Sequence, residues 1–112
     1  MSTYVFVYRA PRGSTPGDPD ASAAWVAWFR GISDHVVEPG KPVFARREVG
    51  EVPGDTELGG YSLISATDLD EAVRLADGCP VISNGGSIEI GELAELSPEL
   101  LAGIGSAATS AA

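Results

Sequence analysis

Residues 3–8 read TYVFVY, and every one of them is β-branched or aromatic. That is strand composition. A strand that alternates apolar with polar can leave one face to water. This one does not alternate, so both of its faces need cover, and it belongs in the middle of a sheet with material on each side. Any fold proposed for the chain has to meet that requirement.

A chain of 112 residues has room for one compact domain. A domain of that size buries roughly two-thirds of the surface its unfolded chain exposes, and a hydrophobic fraction of 44% can fill the core. The reading is a single domain over residues 1–105 and a disordered tail over 106–112, SAATSAA. No apolar run approaches the ~20 residues of a membrane helix. The opening MSTYVFVYRAP has no basic lead, so it is read as structure and not as a signal peptide. The expectation is a cytoplasmic protein without a membrane partner.

Charge excludes another class. Sixteen acidic residues stand against seven basic ones, for a formal charge of −9. Nucleic-acid binding draws most of its affinity from Lys and Arg on phosphates. This chain has one Lys, Lys41, and of its arginines only Arg46 and Arg47 are adjacent. No nucleic-acid partner is expected, and the acidic excess serves solubility.

Along the chain, residues 11–19, PRGSTPGDP, form a loop by their prolines and glycines. Trp25, Trp28, Phe29 and Ile32 then fall at i, i+3, i+4 and i+7, which predicts a helix over residues 20–35 with an aromatic stripe. Residues 42–49, PVFARREV, read as a weak strand, and two arginines in it suggest an edge open to solvent. Residues 51–60 are a second loop around Pro53, Gly54 and Asp55. Residues 60–65, GYSLIS, read as a strand. ATDLDEAVRLADG is the clearest helix: Thr67 or Asp68 caps it, and acids fill its first turn. Leu69, Ala72, Val73 and Ala76 make its apolar stripe, and Gly78 with Pro80 stops it. Residues 87–93, SIEIGEL, alternate as a half-buried strand. Ser97 and Pro98 open a short last helix over residues 97–105.

The order β-α-β-β-α-β is the split βαβ, or ferredoxin-like, arrangement, an α+β fold. Its first and third strands are central, as the opening strand demands. Two helices cover one sheet face. A second copy of the chain, packed sheet to sheet, is the simplest cover for the other, so a homodimer is expected.

Residues 59–93, GGYSLISATDLDEAVRLADGCPVISNGGSIEIGEL, resemble the YCII-related family, including its DGPF-domain branch. Shared features are a Gly-Gly-aromatic strand, an Asp-Leu-Asp-Glu-Ala helix, a Pro-containing turn and a strand of alternating apolar and acidic residues. The first strand and the WVAWF helix fit the same layout. The resemblance implies a dimeric α/β-barrel assembly of ferredoxin-like subunits. It also implies, for catalytic members, a His early in the first helix and an Asp before the proline that leads to the last strand. Here those places fall near Trp25 and on Cys79, so the pair is missing. The Asp-Gly-Pro-Phe motif is missing too; the matching loop holds only Pro53-Gly54-Asp55.

The chemical candidates are few. His35 is the one histidine, close to a helix end where the dipole alone accounts for it, and it is the only general-base candidate. Cys79 follows a helix C-terminus with no cation near it in sequence, which favours a packed thiol over a nucleophile. With one His and one Cys, no metal and no cofactor are expected. The turn SNGG lacks the glycine spacing and lysine of a phosphate loop. Tyr8, Trp25, Trp28, His35 and Tyr61 are the candidate lining of a pocket for a small apolar or aromatic ligand between the sheet and the first helix. Arg46 and Arg47 either stand in solvent, meet an anionic group, or pair with acids across a dimer. The functional expectation is a homodimeric small-molecule-binding or structural domain. A cofactor-independent lyase or isomerase using His35, and an accessory partner of a regulatory protein, are the alternatives.

Overall fold

The structure, a computed structural model, describes residues 1–14, 19–52 and 54–105. The proposed tail and residues 15–18 of the first loop lie outside the described residues.

Strand β1 (Ser2–Pro11) is followed by helix α1 (Pro19–Gly31), a single 3-10 turn (Ser33–His35) and strand β2 (Val36–Glu38). Strand β3 (Thr56–Ala66), helix α2 (Leu69–Ala76), helix α3 (Pro80–Ser83), strand β4 (Ser87–Glu92) and helix α4 (Pro98–Ile104) complete the chain. The sheet order is β2-β3-β1-β4 with antiparallel neighbours throughout. This is the ferredoxin-like fold, with β1 and β3 central as the apolar first strand requires.

Alternation along β1 and β3 divides the sheet into two faces. Tyr4, Phe6 and Tyr8, with Ser62, Ile64 and Ala66, are buried on the helix side. Trp28 and Ile32, Ala72 and Ala76, and Cys79 and Val81 close over them. Phe6 and Ile64 are fully enclosed, each contributing about 1.5–3 kcal/mol from burial alone. The Trp28 indole Nε1 donates to Leu75 O at 3.1 Å, which ties α1 to α2. On the other face, Val5 stands opposite Leu63 and Val7 opposite Tyr61. These four are only half-buried although they occupy the two central strands.

The helix signals of residues 67–80 hold closely. Asp68 accepts from Glu71 N at 2.8 Å while Glu71 Oε1 accepts from Thr67 N at 2.8 Å, a reciprocal capping box. Gly78 sits at φ 84°, the left-handed stop. The expected stripe is only half right. Ala72 and Ala76 are buried, but Leu69 and Val73 are exposed, and Leu75 packs on the core instead. At 100° per residue the buried arc centres on Ala72, where a small side chain lets the helix approach the sheet, and this turns residues 69 and 73 to the rim.

Three boundaries differ from the sequence reading. The first helix ends at Gly31, and residues 33–35 tighten into the 3-10 turn, His35 N bonding Ile32 O at 2.9 Å; glycine in the last turn weakens the longer helix. The second strand is Val36–Glu38, not residues 42–49, which contribute only an isolated bridge from Pro42 to Gly60. Pro39 and Pro42 carry no N–H for a ladder. Between them Gly40, at φ 77°, passes so close to β3 that an added Cβ would lie 1.7 Å from Tyr61 O. Strand β3 starts at Thr56, four residues before the expected Gly60, because the pairing with β1 continues beyond a bulge between Tyr8 and Arg9.

After β4 the chain has little of its own to pack against. Ser97 Oγ caps α4 by accepting from Leu100 N at 3.2 Å, yet α4 has no buried residue. Leu93, Leu96, Leu100, Leu101 and Ile104 are all exposed.

Candidate functional site

The aromatic residues of the expected pocket divide between two places. Tyr8, Trp25 and Trp28 come together on the helix side. Tyr8 meets Trp25 edge to face with ring centroids 4.8 Å apart and Trp28 at 6.2 Å, and Phe29 joins at 4.9 Å from Trp28. The rings pack on one another and on the core, so their mutual contacts account for the helical spacing of the stripe. The Tyr8 hydroxyl donates to Ser62 Oγ at 2.8 Å, and burial pushes its pKa well above the usual phenol range. Tyr61 lies across the sheet on the open face, with its hydroxyl 3.4 Å from Glu38 Oε1.

His35 stands at the far end of α1, where the 3-10 turn meets β3. Its Nδ1 lies 2.9 Å from Ser65 O, and Ser65 Oγ donates to His35 O at 3.2 Å. The ring is thus oriented by backbone and not by a carboxylate. Cys79 is buried between α2 and α3, and burial pushes its thiol up to about 11. Although it precedes the first residue of α3, its side chain makes no cap hydrogen bond. A thiol so held is protonated at neutral pH and packs as a small apolar group. Among the described residues, no group of three or more His, Cys, Asp or Glu side chains is placed to hold a metal ion.

A different region gathers most of the chain's arginines. At the bulge Tyr8 pairs with Gly60 and Arg9 with Leu58, so Gly59 is the extra residue of β3. A bulge bends its strand and re-aims the side chains beyond it. Here it delivers Arg9, Glu57 and Leu58 to the rim of a cleft of about 500 Å³, which the loop after Pro42 closes with Arg46, Arg47, Glu48, Val49 and Val52, and which Arg12 completes. That volume suits a small organic molecule.

Four of the chain's seven basic residues line this cleft. Two carboxylates offset them in part. Arg12 grips Glu48 with both terminal nitrogens, Nη1 to Oε1 at 3.0 Å and Nη2 to Oε2 at 2.9 Å. Arg46 Nη2 meets Glu57 Oε2 at 2.8 Å, and Gly13 N donates to the same oxygen at 3.2 Å. The arginine bonds hold both carboxyls below the usual range. Among the lining side chains arginines outnumber carboxylates four to two, in a chain whose formal charge is −9, and Asp55 adds its field at Arg12.

Donors remain as well. Arg9 uses Nε and Nη2 on Thr56, at 3.0 Å to Oγ1 and 2.9 Å to O, leaving Nη1. Arg47 spends only Nη1, on Arg46 O at 3.0 Å. Arg46 gives Nη1 to Val43 O and Phe44 O, but its Nε is shut away from water with no acceptor among the described residues. An orphaned buried donor costs on the order of 1–3 kcal/mol. The sequence reading placed Arg46 and Arg47 on an edge strand. The signal it passed over was concentration: in a chain this acidic, arginines at 9, 12, 46 and 47 flank the two central strands that the fold brings together.

No protein-family model matches the chain, and no curated protein matches it by sequence. Among solved structures it is similar to the 5-chloro-2-hydroxyhydroquinone dehydrochlorinase TftG of Burkholderia phenoliruptrix AC1100, in complex with 2,5-dihydroxybenzoquinone. The TM-score is 0.61 at 16% sequence identity, over 84% of this chain and 95% of that one. The likeness is one of fold.

Proposed function

We infer that the chain is a YCII-related, ferredoxin-like domain over residues 1–105 that works as a homodimer, joined sheet to sheet, and binds a small molecule. The observation that carries the reading is the open face. Val5, Val7, Tyr61 and Leu63 lie side by side at the middle of the sheet and are only half-buried. Apolar side chains at the centre of a sheet call for cover, and a two-fold axis supplies it with the same patch from a second copy. The exposed leucines after β4 add apolar surface that one copy leaves unused. The sequence pattern of residues 59–93 and the ferredoxin-like neighbour support the family reading. A small-molecule role is supported by the cleft and by that neighbour, which is seen with a small quinone. A cytoplasmic home suits a chain whose single cysteine is buried and unpaired. No helix among the described residues is long and apolar enough to cross a membrane.

Sedimentation velocity at micromolar concentration tests the assembly. The native chain is expected as a dimer and Val7→Lys as a monomer; a native chain that sediments as a monomer overturns it. Titration with 2,5-dihydroxybenzoquinone and a panel of small aromatic acids, followed by Trp25 and Trp28 fluorescence and by amide NMR shifts, tests the binding role. Saturable shifts are expected, and a chain silent to the whole panel overturns that part.

A further inference from the structure

We propose that the arginine cleft beside the β3 bulge is the ligand site, and that its ligand is a small organic carboxylate with an apolar body. The proposal rests on the small-molecule reading above and adds to it the place and the chemistry. Three observations carry it. Charge comes first: guanidiniums are scarce in this chain, and four of them line one cleft beside two lining carboxylates, with Asp55 near Arg12 as a third acid. A fold that merely needed solubility would spread them, because like charges held together repel.

Geometry comes second. Arg12 and Glu48 satisfy each other in a closed fork, and they form the wall. Arg9 and Arg47 line the same cleft and keep unspent donors, Nη1 on the first, Nε and Nη2 on the second. Arg46 holds its guanidinium on Glu57 and on two backbone carbonyls at the margin of the same cleft, and its buried Nε has no acceptor among the described residues. Nε and Nη2 of Arg47 form one edge of a planar guanidinium, and such a fork matches a carboxylate oxygen pair.

The rest of the lining comes third. Val49, Val52 and Leu58 are apolar and exposed, Val49 at 95%. Apolar side chains beside arginine forks suit a ligand that carries hydrocarbon behind its charge. Inorganic phosphate would use the arginines and leave those three side chains without a partner.

The experiment is a titration of the full chain with benzoate and, separately, with inorganic phosphate, read on the arginine Nε–H and valine and leucine methyl NMR signals. Benzoate is expected to shift the Arg9, Arg46 and Arg47 signals together with methyls of Val49, Val52 and Leu58. Arg47→Ala, whose one hydrogen bond is to an exposed backbone carbonyl, is expected to weaken benzoate at least tenfold with an unchanged urea midpoint. Arg9→Lys, which keeps the charge and loses the fork, is expected to weaken it several-fold. Phosphate is expected to bind at least tenfold more weakly than benzoate. Phosphate binding as tight as benzoate overturns the carboxylate assignment. Variants that bind benzoate as well as the native chain overturn the site. If benzoate shifts the Trp25 and Trp28 indoles and leaves the arginines still, small-molecule binding survives and the arginine cleft is overturned as its place.

Discussion

Tyr8 and Ser62 share a hydrogen bond of 2.8 Å inside the core, and Ser62 passes its own proton on to Pro39 O at 2.6 Å. The relay joins the central strand, its neighbour and the turn after β2, all behind a serine with no exposed surface. It is directional, and so the two ends are unequal. Tyr8→Phe removes a donor and leaves Ser62 still bonded to Pro39; a loss of about 1 kcal/mol is expected. Ser62→Ala strands both the Tyr8 hydroxyl and the Pro39 carbonyl, and about 2–3 kcal/mol is expected. Urea denaturation of both single variants and the double variant checks this, the double costing less than the sum of the singles.

Gly86 and Gly103 make a contrasting pair. A Cβ on Gly86 would sit 2.1 Å from Arg9 O and 2.7 Å from Val81 Cγ2, whereas one on Gly103 meets nothing within 4 Å. Gly86→Ala is expected to cost about 1–3 kcal/mol, as overpacking does. Gly103→Ala, inside α4, is expected to favour the helix by about 0.5–1 kcal/mol. Thermal melts of the first and the helical circular dichroism of the second test the two expectations.

Acid should loosen the cleft before it unfolds the sheet. The bonds to Arg12 and Arg46 lower the folded-state pKa of Glu48 and Glu57. A carboxyl with a depressed folded pKa stabilises the fold above its unfolded value of about 4.3, and the contribution is lost as pH falls through the folded value. Urea midpoints are therefore expected to be flat above about pH 5 and to fall below about pH 4. Glu48→Gln with Glu57→Gln should flatten that acid limb; a limb of unchanged steepness would show that other acids carry it.

Cys79 offers a probe that needs no ligand. With its thiol pushed up to about 11 and shut from solvent, it is expected to react with a disulfide reagent at pH 8 only through unfolding. The rate should rise with urea in step with the unfolding transition. Rapid labelling of the native chain would contradict the packed role.

The central strand, the capping box of Asp68 and Glu71, the alternation of β4 and the Ser97 cap were legible because each depends on neighbours in sequence. The second strand was not. Its three residues owe their ladder to a 3-10 turn on one side and to Gly40 crossing β3 on the other, and both are tertiary facts. The cleft was hidden for the same reason. Arg9 and Arg46 lie far apart along the chain, and they meet only because β1 pairs with β3 past a bulge at Gly59, silent in the residue pattern, while the loop after Pro42 folds back beside it. The aromatic stripe was read correctly as a stripe, and its rings turn inward on one another.

The two rims of the sheet are unlike. On one side β2 is three residues long and ends at a proline, while β4 offers six residues of backbone on the other, bearing Glu89 and Glu92. A bare edge is a template for accretion, and charge is the usual guard against it. Glu89 and Glu92 therefore set like charges along the longer rim, so a second copy that meets it edge on meets repulsion before it can extend the ladder.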